Sequence, residues 1–219
     1  DTYKSGVIHV TGTPMGDHNN RQGWGTISYL DGLKRSSNVA FIKLGYEMLG
    51  AEKLKAYIRN FGFGDKTGID LPGEVGGVID FRYPTEVAAA TFGQGKVAVT
   101  AIQQVAAVSA IANGGKLLKP HLVKEVIDPE TDRSIRKLKP ELVRQVLSER
   151  TAREVSDYLE QVVSDQKIGT GRRVYIDGYR IAGKTGTAQK VINGKYAEDK
   201  WVVSFIGYAP ADDPKVVLL

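Results

Sequence analysis

The 219 residues are 42% hydrophobic and 25% charged, the composition of a globular domain rather than of a disordered or fibrous segment. A net charge of +5 is too small to point to nucleic acid by itself, and the absence of cysteine excludes a disulfide framework, a thiolate nucleophile and a cysteine-ligated zinc. Apolar runs such as 202–206 fall far short of the ~20 residues needed to span a bilayer. Asp1 opens no signal-peptide pattern, so any membrane anchor is expected outside this chain.

The first 25 residues carry Gly6, Gly12, Pro14, Gly16, Gly23 and Gly25 beside an Asn19-Asn20 pair, a density of turn formers that predicts irregular loop. From Asn38, the spacing of Val39, Ala40, Phe41, Ile42, Leu44, Met48 and Leu49 covers a broad helix face, with Ser36 or Ser37 as the N-cap. A second helix over Ala51–Asn60 is expected to stop at Gly62, and 61–84 reads as mostly loop. Ala101–Ala112 has so little polar surface that it reads as a core helix, ended by Gly114-Gly115. Short strands are expected over 116–127 and 133–138, flanking the turn 128–132. A surface helix follows over Glu149–Ser164, its apolar side made by Val155, Leu159, Val162 and Val163. The last fifty residues read as a long hairpin, 179–192 and 195–208 about an Asn193-Gly194 turn, then a further strand over 215–219. A strand at the very terminus suggests a fragment. Together the elements predict one α+β domain of helices packed on an antiparallel sheet.

Two patterns compete for one lysine. Residues 178–185 match the phosphate-loop pattern G-x-x-x-x-G-K-[ST], which needs a helix starting at the lysine. Here the stretch before Lys184 is strand-like and the stretch after it runs into the hairpin turn, so a P-loop nucleotide-binding protein is only a remote alternative. The other pattern is Lys184-Thr185-Gly186-Thr187, a K-T-G triplet on an accessible strand. Its strand edge offers amides to an extended peptide, Thr185 and Thr187 offer hydroxyls to a carboxylate, Lys184 brings charge, and Gly186 removes an obstructing side chain. An anionic peptide suits this surface, because residues 161–200 carry a local net charge of +4. Upstream, Ser36-Ser37-Asn38 has the S-x-N form, although helix capping alone would also select it. The histidines His9, His18 and His121 show no metal spacing, Gln94 lies in a Gly-rich turn, and Trp24 reads as an anchor for its loop.

In one order the chain holds Gly23-Trp24-Gly25, Arg35-Ser36-Ser37-Asn38-Val39-Ala40-Phe41, the 67–74 stretch TGIDLPGE, Phe92-Gly93-Gln94-Gly95, Ala112-Asn113-Gly114-Gly115 and Ala182-Gly183-Lys184-Thr185-Gly186-Thr187-Ala188. This ordered set, from the first residue to the last, resembles the transpeptidase domain of class B penicillin-binding proteins. The 24–40 stretch looks most like their division-type Gram-positive members. The resemblance implies the penicillin-binding-protein/serine β-lactamase-like fold, incomplete at both ends, and a peptidoglycan D,D-transpeptidase that works through an acyl-serine and is inhibited by β-lactams. It implies that Ser36 relays a proton to the departing D-Ala amine, that Asn38 holds a substrate amide, and that Lys184 poises the proton network. Thr185 and Thr187 would bind the terminal carboxylate, Gly186 completing the substrate-binding set, with the Thr187 amide as half of an oxyanion hole; no metal or organic cofactor is implied. The expected partners are peptidoglycan stem peptides, β-lactams and a cell-wall glycosyltransferase, at the outer face of the bacterial membrane and not on nucleic acid. A penicillin-recognising sensor or binding domain without synthetic turnover is the alternative. The family's S-x-x-K nucleophile is not found before Ser36. The matches Ser134-Ile135-Arg136-Lys137 and Ser164-Asp165-Gln166-Lys167 lie in the wrong order, so the nucleophile is expected outside this chain and the fragment alone inactive.

Overall fold

A computed structural model describes residues 1–192 and 195–219; the expected Asn193-Gly194 turn lies outside the described residues. The N-terminal stretch expected as loop contains β1 (Thr2–Lys4), β2 (Val7–Val10), β3 (Thr13–Gly16) and β4 (Thr26–Ser28). β2 and β3 form a hairpin whose two turn residues, Thr11 (φ +47°) and Gly12 (φ +84°), adopt the primed geometry that matches strand twist. The turn formers therefore mark a hairpin bend rather than unstructured chain. β1 pairs with β4 across the intervening loop.

From β4 the chain passes through Ser28, whose hydroxyl caps α1 (Tyr29–Arg35), into α2 (Asn38–Ile42), a π-helical segment Lys43–Leu49 and α3 (Ala51–Asn60). α1 was not expected, because Gly32 interrupts it. That glycine is needed for contact: a Cβ there would stand 2.7 Å from Tyr3 Oη and 2.8 Å from Ala40 Cβ. Tyr3, Ile8, Val10, Val39, Ala40, Ile42 and Ala88 form the core beneath.

The stretch expected as mostly loop, 61–84, is loop apart from β5 (Val78–Ile79) and the Pro84 that opens the next helix, and Gly62 follows the end of α3 at φ +89°. α4 (Pro84–Ala90) then starts on a proline, its Glu86 carboxylate accepting from Arg82 and Tyr83 amides. β6 (Val97–Ala98) and the core helix α5 (Ala101–Ala112) follow. The single strand expected over 116–127 is two, β7 (Lys116–Lys119) and β8 (Glu125–Ile127), because Pro120 lacks the donor a continuous ladder needs. β8 pairs with β9 (Ser134–Lys137), while β7 pairs with the unforeseen β10 (Glu141–Gln145).

α6 (Glu149–Ser164) spans the expected residues and buries Ala152, Ser156, Val162 and Val163. It packs on the sheet of β11 (Ala182–Ile192), β12 (Lys195–Ala209) and β13 (Val216–Leu218), in the spatial order β11-β12-β13, all antiparallel. Tyr208 of β12 donates its buried hydroxyl to Ser156 of α6 at 2.7 Å, and Ser156 donates onward to Ala152 O. Ala182, Tyr208 and Ala211 make the core at this end with Val108, Ile111 and Leu159. Among the described residues β11 pairs on one side only, so the strand carrying the K-T-G triplet is a sheet edge.

Candidate functional site

The two serines of Ser36-Ser37-Asn38 have different jobs. Ser37, fully buried, is the N-cap of α2, its hydroxyl accepting from Ala40 N at 3.2 Å. Ser36 caps nothing at an N-terminus. It ends α1 in the left-handed conformation (φ +57°, ψ +44°), its N–H pointing back to Leu33 O. Capping thus explains Ser37 and leaves the Ser36 side chain free for another partner.

That partner comes from 148 residues away: Lys184 Nζ donates to Ser36 Oγ at 2.7 Å and to Thr185 O at 3.0 Å. Lys184 lies within β11 and no helix begins there, which removes the phosphate-loop reading of residues 178–185. Burial strips water from the ammonium and lowers its pKa from 10.5 to about 8. Asn38, at the start of α2, donates its amide to Gly16 O at 2.9 Å and stays only partly buried.

Thr185 Oγ1 donates to Thr170 Oγ1 at 3.1 Å, and Thr170 N–H donates to Lys34 O in α1 at 2.9 Å. Lys34 itself bonds Asp31 at 2.9 Å and Asp165 at 3.0 Å. Burial works to lower the Lys34 pKa, but the two carboxylates hold it above the ordinary value. The turn after α6 therefore buckles α1 to β11. Thr187 is exposed near the loop of Phe92-Gly93-Gln94-Gly95, where Gln94 Nε2 donates to Thr187 O at 3.4 Å and Gly95 N–H to Tyr196 Oη at 2.9 Å. A Cβ on Gly186 would stand 2.7 Å from the Ser204 hydroxyl on β12, so the glycine also leaves that side chain its place.

Sequence reasoning missed Asp17, His18, Asp165 and Thr170. The buried Asp17 accepts from Gly6 N, Ser37 Oγ and Val39 N. An aspartate in a glycine-rich stretch looks like a turn former, and nothing local announces a contact to residues twenty positions on. Ser134 lies exposed in β9 and Ser164 ends α6, with its neighbour Asp165 committed to Lys34; neither sits in a buried central helix. Of the histidines, His18 meets Arg35 O and the Trp24 ring, while His121 Nδ1 contacts Val123 O in an exposed loop. Among the described residues no group of three His, Asp or Glu side chains is placed to hold a metal ion, and no helix is long and apolar enough to cross a membrane.

Compared with known proteins, residues 1–219 match the family description "Penicillin binding protein transpeptidase domain". The chain belongs to the penicillin-binding protein transpeptidase family. The chain is similar to stage V sporulation protein D of Bacillus subtilis, 52% identical over 201 residues that cover 90% of this chain and 30% of that protein. It is 33% identical over 189 residues to the probable peptidoglycan D,D-transpeptidase PenA of Neisseria gonorrhoeae, covering 85% of this chain and 30% of that one. The fold matches penicillin-binding protein 3 of Mycobacterium tuberculosis solved with aztreonam, with a TM-score of 0.89 at 30% identity over 99% of this chain and 50% of that chain. This member of the family thus spans about a third of the length of those curated relatives, and it has the mixed α+β architecture of penicillin-binding transpeptidase domains.

Proposed function

We propose that this chain supplies the S-x-N and K-T-G walls of a peptidoglycan D,D-transpeptidase site, with the serine nucleophile carried by a segment outside the 219 residues. The observation that carries the reading is the 2.7 Å bond between Lys184 Nζ and Ser36 Oγ beside a free strand edge. Such an edge accepts an extended peptide by main-chain pairing, and the exposed Thr187 and the neighbouring Thr185 offer hydroxyls to its terminal carboxylate.

In this mechanism the nucleophilic serine forms a bond to the penultimate D-Ala carbonyl, the amide C–N bond breaks, and the departing D-Ala amine needs a proton. Lys184 donates to Ser36 Oγ, so the hydroxyl hydrogen of Ser36 is turned away from the lysine and toward the amine. The proton passes from Ser36 to the amine and Lys184 replaces it. The nucleophile's own proton goes to a base on the missing segment. An amine of a second stem peptide then displaces the serine, and the same relay runs in reverse. The Thr187 amide stabilises the oxyanion together with the serine's own amide, and Asn38 holds the substrate amide. The protein works at the outer face of a bacterial membrane, held by an anchor outside this sequence and supplied with glycan by a glycosyltransferase; β-lactams acylate the same serine.

The test uses the natural protein that contains this chain together with its upstream sequence. Fluorescent penicillin should label one serine in an upstream S-x-x-K, and a stem peptide should release D-Ala. Label without D-Ala release would favour the sensor reading. Label mapping to Ser134 or Ser164, or no label at all, would overturn the assignment; Ser134→Ala and Ser164→Ala should change labelling by less than about twofold.

A further inference from the structure

Three consecutive residues, the last of β3 and the first two of the loop after it, grip the turn that presents Ser36. Gly16 O accepts from Asn38 Nδ2 at 2.9 Å. The Asp17 carboxylate takes Ser37 Oγ at 2.7 Å and Val39 N at 3.1 Å. His18 Nε2 lies 2.9 Å from Arg35 O. A carbonyl oxygen only accepts, so Nε2 carries the hydrogen, a condition met by one neutral tautomer and by the imidazolium alike. Gly16 and Asp17 thus hold the chain after Ser36, and His18 holds the peptide that joins Arg35 to Ser36.

Ser36 requires such holding. A left-handed backbone is unfavourable for a residue with a Cβ, and glycine or asparagine is the usual occupant at a helix end. A serine persists there only if the surroundings over-determine it. His18 does not act alone. Its ring meets the Trp24 ring edge-on with centroids 5.5 Å apart, and the Arg35 guanidinium stands 5.2 Å from the centre of the same Trp24 ring. Arg35 Nε is buried without a hydrogen-bond acceptor, and the indole face is the electron-rich surface available to it. The Trp24 loop is itself pinned, with Trp24 N–H on Ser5 Oγ at 2.6 Å and the Gly23 backbone bonded both ways to the Asn19 amide.

We infer that His18 is a positioning residue: its Nε2–H, braced by Trp24, fixes the Arg35–Ser36 peptide and so holds Ser36 Oγ at the Lys184 ammonium. The inference rests on the proposed role of Ser36 in acylation, but it has a readout that does not. In the full-length protein, His18→Ala should slow β-lactam acylation about tenfold with the non-covalent Kd unchanged, since misplacement of a reacting group by about 1 Å costs up to 10²-fold. His18→Gln puts an amide nitrogen near the Nε2 position and should restore the rate to within about threefold, whereas His18→Asn, whose amide nitrogen matches Nδ1, should not. In a Ser36→Ala background, His18→Ala should have no further effect, because the hydroxyl it positions is gone. Crystal structures of the same variants should show Ser36 leaving the left-handed region in His18→Ala and keeping it in His18→Gln. Wild-type acylation by His18→Ala with an unchanged Ser36 backbone would overturn the inference, as would additive losses in the double variant. If the wild-type protein is not acylated but Ser36 still shifts in His18→Ala, the proposed function fails and the positioning contact stands.

Discussion

Replacing Lys184 by methionine should make the protein more stable at neutral pH while it disables the site. In the unfolded chain the lysine keeps its ordinary pKa of 10.5, whereas in the fold burial lowers it to about 8. Below pH 8 the native state must therefore hold a proton it binds less well than the unfolded chain does, and the full penalty applies. Between about pH 8 and 10.5 the native lysine is neutral while the unfolded one is still charged, so wild-type stability rises with pH through that window. The shift from 10.5 to about 8 corresponds to about 3 kcal/mol at 1.36 kcal/mol per pH unit. Lys184 is half-buried, and solvent screening reduces the expected gain for Lys184→Met to about 1–2 kcal/mol. Urea unfolding at about pH 7 and about pH 11 reads it directly. Lys184→Met should have the higher midpoint at the lower pH, and the advantage should vanish or reverse at the higher, where the neutral lysine keeps its hydrogen bonds. A variant no more stable than wild type at pH 7, with a difference flat in pH, would refute the argument that the ammonium is desolvated.

Ser36→Gly should relieve the left-handed backbone and stabilise the fold by about 1 kcal/mol, yet slow β-lactam acylation of the complete protein by at least ~100-fold; parallel denaturation and labelling separate the two effects. Asp17→Ala leaves Gly6 N, Ser37 Oγ and Val39 N without their carboxylate in a site where Asp17 is 2% exposed. The loss should be about 3–5 kcal/mol in urea denaturation, and a loss below about 1 kcal/mol would contradict that network. ATP with magnesium should give no thermal shift, since Lys184 lies inside a strand; a saturable shift abolished by Lys184→Ala would restore the nucleotide reading.

α6 lies where its one-sided apolar spacing places it, α5 where a lack of polar surface does, and α3 before the stop expected at Gly62, while β11 to β13 occupy the strand-rich C-terminus. Shorter elements were illegible because tertiary contact overrides their local signals. α1 survives a glycine since Tyr3 and Ala40 close on it, and β2–β3 is a hairpin inside what composition marks as loop. α4 did carry a signal, Pro84 followed by Glu86 at the third helical position, but the irregular reading ended at Pro84 and residues 85–100 received no reading. At the site, the letters of S-x-N and K-T-G placed Ser36 and Lys184, yet a cap at Ser36 and a cap at Ser37 look alike in sequence. The left-handed φ of Ser36 and the bond from Ala40 N to Ser37 Oγ tell them apart. The supports Asp17, His18 and Thr170 were invisible because each acts on a partner at least fifteen residues away.

The buckle at Thr170 gives the site a hidden degree of freedom. Thr170 touches α1 through its backbone and the K-T-G strand through its hydroxyl, so it sets the spacing between two motifs while belonging to neither. A bulkier or hydroxyl-free residue there would alter the gap across which Lys184 reaches Ser36 and leave every letter of both motifs intact. Surveys of natural variants that read only S-x-N and K-T-G would score such a protein as unchanged. The position that tunes the gap without touching either motif therefore lies in the turn after α6.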